Sequence, residues 1–127
     1  MVRNEQQSLV DAFKCAGAGI AHACIAGRNF KIELGFAVAA VILGFVCSID
    51  VTQWAVVFVC IGAVLGLECL NTSMEAAVDL VSPEYNELAR IAKDCAAGAV
   101  LMCSIASFFV AVVIFLPKLL AMMGILG

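Results

Sequence analysis

Three carboxylates and a carboxamide recur at intervals of three, four and four residues in LECLNTSMEAAVDLV, residues 67–81: Glu68, Asn71, Glu75 and Asp79. On a helix at 100° per residue they share a stripe about 80° wide. Leu70, Ala76, Ala77, Val78 and Leu80 cover most of the other sides. A helix simply emerging into water would also gain charges, yet here the flanks stay apolar for three turns beyond Glu68. A cation or phosphate site is the reading that this arrangement favours. A second cluster follows in ELARIAKDCAAGAVL, where Arg90, Lys93 and Asp94 precede a run without charge. Lys and Arg supply charge for phosphate, and carboxylates hold Mg²⁺, so the two clusters together suit a metal–nucleotide. No Walker loop or protein-kinase signature is present, so such a nucleotide would be held outside a soluble kinase fold.

The elements that position these residues are membrane helices. Of 127 residues, 65% are hydrophobic and 13% charged, against roughly half and a quarter in soluble domains. Mean hydropathy is +1.11. One domain over 1–127 is expected, with lipid as its solvent. The net charge of −3, with no basic patch interleaved with aromatics, excludes nucleic acid as a partner. Seven cysteines at 15, 24, 47, 60, 69, 95 and 103 contain no C-x-x-C pair; most sit in apolar runs as small hydrophobes, and neither a disulfide framework nor a metal site is expected. No apolar stretch begins near the start, so a cleaved signal peptide is not expected.

The spacing predicts a surface helix over about 6–27 and three spans, about 32–49, 54–81 and 92–120. Leu9, Val10, Phe13, Ala16 and Ile20 recur at roughly helical spacing in the first, which reads as an amphipathic helix lying in the interface. Leu34–Ile49 and Trp54–Leu67 are uncharged, separated by a break at DVTQ, with Trp54 placed as an interfacial anchor. SPEY at 82–85 makes a turn, Cys95–Leu116 is uncharged over 22 residues, and Pro117 with Lys118 marks the end of that run. Arg3, Lys14, Arg28 and Lys31 precede the first span, and Arg90 and Lys93 lie between the second and third. The positive-inside rule then puts the N-terminus and the 82–94 connection, and with them the acidic stripe, in the cytoplasm. His22 has no acidic or Cys partner in sequence and reads as an interfacial polar residue. Gly62 and Gly66 match the small-xxx-small pattern that allows close helix approach.

ECLNTSMEAAVD, the turn LVSPEYNELARI and then AKDCAAGAVL resemble the prokaryotic diacylglycerol kinase family, integral membrane lipid kinases that include undecaprenol kinases. The match is dense over residues 67–101 and extends more weakly to AFKCAGAGI, RNFKI and IFLP, in effect the whole chain. The resemblance implies a homotrimer in the bacterial cytoplasmic membrane, with active sites shared between subunits at the cytoplasmic face. It implies transfer of the γ-phosphate of ATP to a lipid hydroxyl, with Mg²⁺. Carried over, Glu68 is the base, Glu75 the Mg²⁺ ligand, and Asn71 orients groups beside the base. Asp79, Glu84, Tyr85, Asn86, Lys93 and Asp94 serve the nucleotide and its phosphates, and Glu33 joins Glu68 and Asn71 as a candidate contact to the lipid. Two positions depart from the family pattern. Gly27 stands where a second metal-binding Glu is usual, which should weaken metal binding, and Asn86 stands where His is typical.

Two other function classes bear on the same residues. A small proton-coupled transporter would use a lone membrane carboxylate such as Glu68, but leaves Glu75, Asp79, Lys93 and Asp94 unexplained. A catalytically weakened scaffold is the alternative that Gly27 raises. Between substrates, AKDCAAGAVL and IFLP are closer to the undecaprenol branch and Glu33 to the diacylglycerol branch; the reading favours undecaprenol.

Overall fold

Four α-helices, separated by joints of one, four and five residues, make up the computed structural model: α1 (Leu9–Ala26), α2 (Arg28–Val46), α3 (Val51–Val81) and α4 (Glu87–Met122). It describes residues 8–125. Arg3 and the first residues of the expected surface helix, Gln6 and Gln7, lie outside the described residues. All four helices are long and apolar enough to cross a membrane by length and composition, where three spans and one surface helix are expected from the sequence.

Each start has a local cause. The Ser8 hydroxyl accepts from the Asp11 amide at 3.3 Å and caps α1. Gly27 closes α1 through its N–H to the Ala23 carbonyl at 2.8 Å and directly precedes α2. A Cβ at Gly27 would lie 2.7 Å from the Ala23 carbonyl oxygen and 3.2 Å from the Phe30 Cβ. The joint between α1 and α2 is therefore tight because residue 27 has no side chain.

The boundaries of the first two spans shift from those expected. Helix α2 ends at Val46 rather than near 49, and DVTQ opens α3 rather than breaking the chain. Asp50 and Gln53 form a capping box: the Gln53 amide donates to Asp50 Oδ1 at 2.9 Å and the Asp50 amide to Gln53 Oε1 at 3.1 Å. Ser48, at φ 48°, makes the turn between them. Trp54 is more than an interfacial anchor. Its ring lies over Gly44, where a Cβ would come within 2.5 Å, and between Phe45 and Phe58, with ring centroids at 4.9 and 5.5 Å. Helix α4 starts at Glu87, ahead of the expected 92, because the Asn86 carboxamide oxygen accepts from the Leu88 and Ala89 amides. It also runs through Pro117 to Met122; Leu119, beyond the proline, packs against the apolar core, which offsets the lost backbone hydrogen bond.

Helix α3 is central: α4 packs along it most extensively, and α2 and α1 lie against it as well. The core gathers at the α2–α3 turn, where Cys47, Ile49 and Val57 meet Ile114 and Phe115. Phe36, Phe58, Val59, Leu101, Phe108 and Val113 are exposed, as a surface bathed in acyl chains allows. At 1.5 Å per residue α3 is about 46 Å long and α4 about 54 Å, against a hydrocarbon core of roughly 30 Å. Roughly 20 residues, enough to cross that core, carry α3 from the Asp50 cap to Glu68–Asn71. The acidic stripe therefore begins where the helix leaves the hydrocarbon.

Candidate active site

Glu68 and Asn71 are the two buried polar side chains of α3, 3% and 6% exposed. They lie on the face turned to the other helices, while Glu75 and Asp79, one and two turns on, are exposed. The Asn71 amide donates to Glu75 Oε1 at 3.4 Å. Thr72 returns its hydroxyl to the Glu68 carbonyl at 3.1 Å. The three oxygens Glu68 Oε2, Asn71 Oδ1 and Glu33 Oε2 are buried without a hydrogen-bond partner. Leaving a buried acceptor unmet costs about 1–3 kcal/mol, so an incoming donor would be favoured at each.

Glu33 reaches this place from α2. Its carboxylate comes near enough to Glu68 for the two charges to repel, and Glu68 repels Glu75 in the same way. Ser104 of α4 donates to Glu33 Oε1 at 3.3 Å. Beside them, α2, α3 and α4 line a half-open cavity of about 330 Å³. Its walls are apolar, including Phe36, Ala40, Leu43, Ile61, Val64 and Phe108, with Glu33, Ser104 and Ser107 as the polar exceptions. Val64 is one turn before Glu68, so the apolar wall of α3 leads directly to the buried carboxyl.

The second cluster forms two ion-paired groups. Lys93 crosses from α4 to Asp79 of α3 at 2.5 Å, tying the ends of the two longest helices. Arg90 spans Glu87 and Asp94 at 2.6 and 2.7 Å, and the Tyr85 hydroxyl donates to Glu87 at 2.7 Å. Arg90 and Tyr85 together hold the Glu87 carboxyl, outside the uncharged run, below the ordinary carboxylate range. Glu84 is exposed, and its carbonyl accepts from Ser82. The Asn86 oxygen is committed to the α4 cap, which leaves its amide hydrogens for a ligand. Among the described residues no hydrogen bond or ion pair joins the Glu68–Asn71–Glu75 row to the Lys93 or Arg90 groups.

Sequence spacing thus brings Glu68, Asn71 and Glu75 together on one face, and the fold adds Glu33 to them. Ser104 is missed from sequence, because a serine in an apolar helix ordinarily bonds its own backbone and carries no signal of a partner 71 residues away. For a metal, the described residues hold no cluster of three or more His, Cys, Asp or Glu side chains. Mg²⁺ commonly takes one or two carboxylates and completes its shell with phosphates and water. Glu75, with one oxygen not engaged by Asn71, fits that role.

Residues 14–115 match the family described as prokaryotic diacylglycerol kinase. The chain is 39% identical over 117 residues to the undecaprenol kinase of Bacillus subtilis (strain 168), covering 92% of this chain and 95% of that one. It is 41% identical over 117 residues to the diacylglycerol kinase of Synechocystis sp. (strain ATCC 27184 / PCC 6803 / Kazusa), covering 91% of this chain and 67% of that one. The two relatives are named for different lipids. With a family match over most of its length, the chain belongs to the prokaryotic diacylglycerol kinase family and is a membrane lipid kinase of that type.

Proposed function

We propose that the chain transfers the γ-phosphoryl group of ATP to the hydroxyl of undecaprenol or diacylglycerol at the cytoplasmic face of the bacterial inner membrane. Glu68 takes the proton from the lipid hydroxyl, whose oxygen attacks the γ-phosphorus as the bond to the β-phosphate oxygen breaks and ADP leaves. The observation that carries this reading is the burial of the Glu68 carboxyl, with an oxygen lacking any donor, one helical turn beyond Val64 of the apolar cavity wall. A hydroxyl on an apolar chain supplies the missing donor, and a positioned carboxylate is worth about 10²–10⁴ in rate as a general base.

Asn71 fastens one Glu75 oxygen along the helix, and Glu75 would hold Mg²⁺ against the nucleotide through the other. When bound, that ion supplies neutralising charge along the β- and γ-phosphates. Lys93 and Asp94, with Asp79 beside Lys93, serve the phosphates; Glu84, Tyr85 and Asn86 serve the rest of the nucleotide. Glu33 contacts the lipid next to Glu68. Helix α1 lies in the interface, as its exposed Leu9, Val10 and Phe13 support. Three chains complete the site, a reading supported by the family and by the separation, within one chain, of the Glu68 row from the Lys93 group. The share of the B. subtilis undecaprenol kinase that is covered favours undecaprenol as the lipid.

Labelled ATP offered to the purified protein in micelles, with undecaprenol and diacylglycerol supplied separately across a Mg²⁺ titration, tests the reading. Phosphorylated undecaprenol in excess is the expected product. Label in neither lipid at any Mg²⁺ concentration, from protein that retains its helical spectrum, would overturn it.

A further inference from the structure

Glu33 is a half-buried ionisable group on the wall of an apolar cavity, and such groups are costly unless something holds them. The one described donor to its carboxylate is Ser104, 71 residues away on α4. Helices α2 and α4 otherwise touch least among the contacting pairs, so this bond is a specific tie across an open gap. Both side chains line the α2–α3–α4 cavity, and the second Glu33 oxygen is buried and without a donor, as is that of Glu68. Two facing carboxylates repel, and an unpinned Glu33 side chain has three rotatable bonds with which to relax that repulsion or to fill the space before Glu68.

We infer that Ser104 is a positioning residue for the lipid. By fastening one Glu33 oxygen to the α4 wall, it keeps the space before Glu68 open and turns the other Glu33 oxygen toward the polar end of the alcohol in the cavity. The inference rests on the kinase reading above and concerns the lipid side of the reaction. The nucleotide groups at Lys93 and Arg90 make no described bond to Ser104 or Glu33, so loss of this tie is expected to act on the lipid rather than on ATP.

The experiment is steady-state transfer by the full chain in micelles, with KM measured for the lipid and for ATP separately. Ser104→Ala should raise the lipid KM about three- to tenfold, the loss of one hydrogen bond of ordinary net strength, and leave the ATP KM unchanged. Ser104→Thr, which keeps the hydroxyl, should restore most of the difference. In a Glu33→Gln background Ser104→Ala should add little, because the two act through one bond. Independently of turnover, the lipid alone should slow alkylation of Cys60, which lines the same cavity, and Ser104→Ala should weaken that protection. Equal changes in both KM values, additive effects with Glu33→Gln, or unprotected Cys60 in a wild-type protein that does transfer phosphate would each overturn the assignment. Absence of transfer by the wild type, with Cys60 still protected, would remove the kinase reading and leave a lipid-binding cavity.

Discussion

At the scale of single residues, the Glu68 carboxyl does its work through what surrounds it. It is held at the end of an apolar wall, with Glu33 across from it and Asn71 and Glu75 above it on the same helix. Glu68→Gln keeps shape and hydrogen-bonding capacity but removes the proton acceptor. Transfer is expected to fall by about 10²–10⁴, with the thermal unfolding midpoint held or raised, because a neutral amide is easier to bury than a carboxylate beside two others. Retained turnover in that variant would take the role of base from Glu68. The acids on the α3 stripe are legible in sequence because helical spacing alone puts them on one face. Glu33 as the neighbour of Glu68, and Ser104 as its donor, are not, because they depend on how α2 and α4 lie against α3.

At the scale of elements, the joints decide the positions of the site. The α2–α3 turn is fastened by the Asp50–Gln53 capping box and by the Trp54 ring lying on Gly44. Gly44→Val should drive that ring off α2, lower stability by about 1–3 kcal/mol, and slide Glu33 relative to Glu68, so activity should fall more than the loss of folded protein accounts for. Activity per folded molecule, measured beside the unfolding midpoint, checks this. The α1–α2 joint poses a different conflict. Gly27→Glu would add the carboxylate that the family resemblance leads one to expect there, but its Cβ meets the Ala23 carbonyl oxygen at 2.7 Å. The variant should need less Mg²⁺ for half-maximal transfer and should also melt earlier; an unchanged Mg²⁺ curve would mean that this joint does not face the nucleotide. The helices are legible in the sequence because long uncharged runs leave few alternatives in lipid. Their ends lie a few residues from those expected, because caps such as Asp50 and Asn86 act through side-chain geometry that composition does not register.

At the scale of the whole molecule, one chain separates Glu68, the proposed base, from the groups proposed to bind phosphate. The Glu68 row and the Lys93 and Arg90 groups share no described bond, and broad apolar faces remain exposed on α2, α3 and α4. If three chains close the site, a protein mass three times 13.3 kDa should appear in light scattering after detergent is subtracted. Mixing Glu68→Gln subunits with Lys93→Ala subunits should then regain up to about a quarter of wild-type activity, the share of sites drawing an intact residue from each neighbour in a random cyclic assembly. No regain after verified subunit exchange would place both groups in the same chain's site. A trimer is an expectation of the family likeness alone, since a lipid-facing surface and a subunit-facing surface are both apolar.

The unpartnered carboxylate oxygens of Glu33 and Glu68 also bear on how the product departs. A neutral alcohol arrives as a donor and meets unpartnered oxygens on Glu33 and Glu68. Once phosphorylated, the same head carries a charge of about −1.5 to −2 near neutral pH and faces two or three carboxyl groups instead of a welcome. The chemistry itself thus turns a ligand that fits into an anion that the pocket rejects, and drives it toward the water and the cations at the end of the helices. An enzyme built this way clears its product by repulsion, and excess lipid phosphate should inhibit it far less than an unreactive alcohol of the same length.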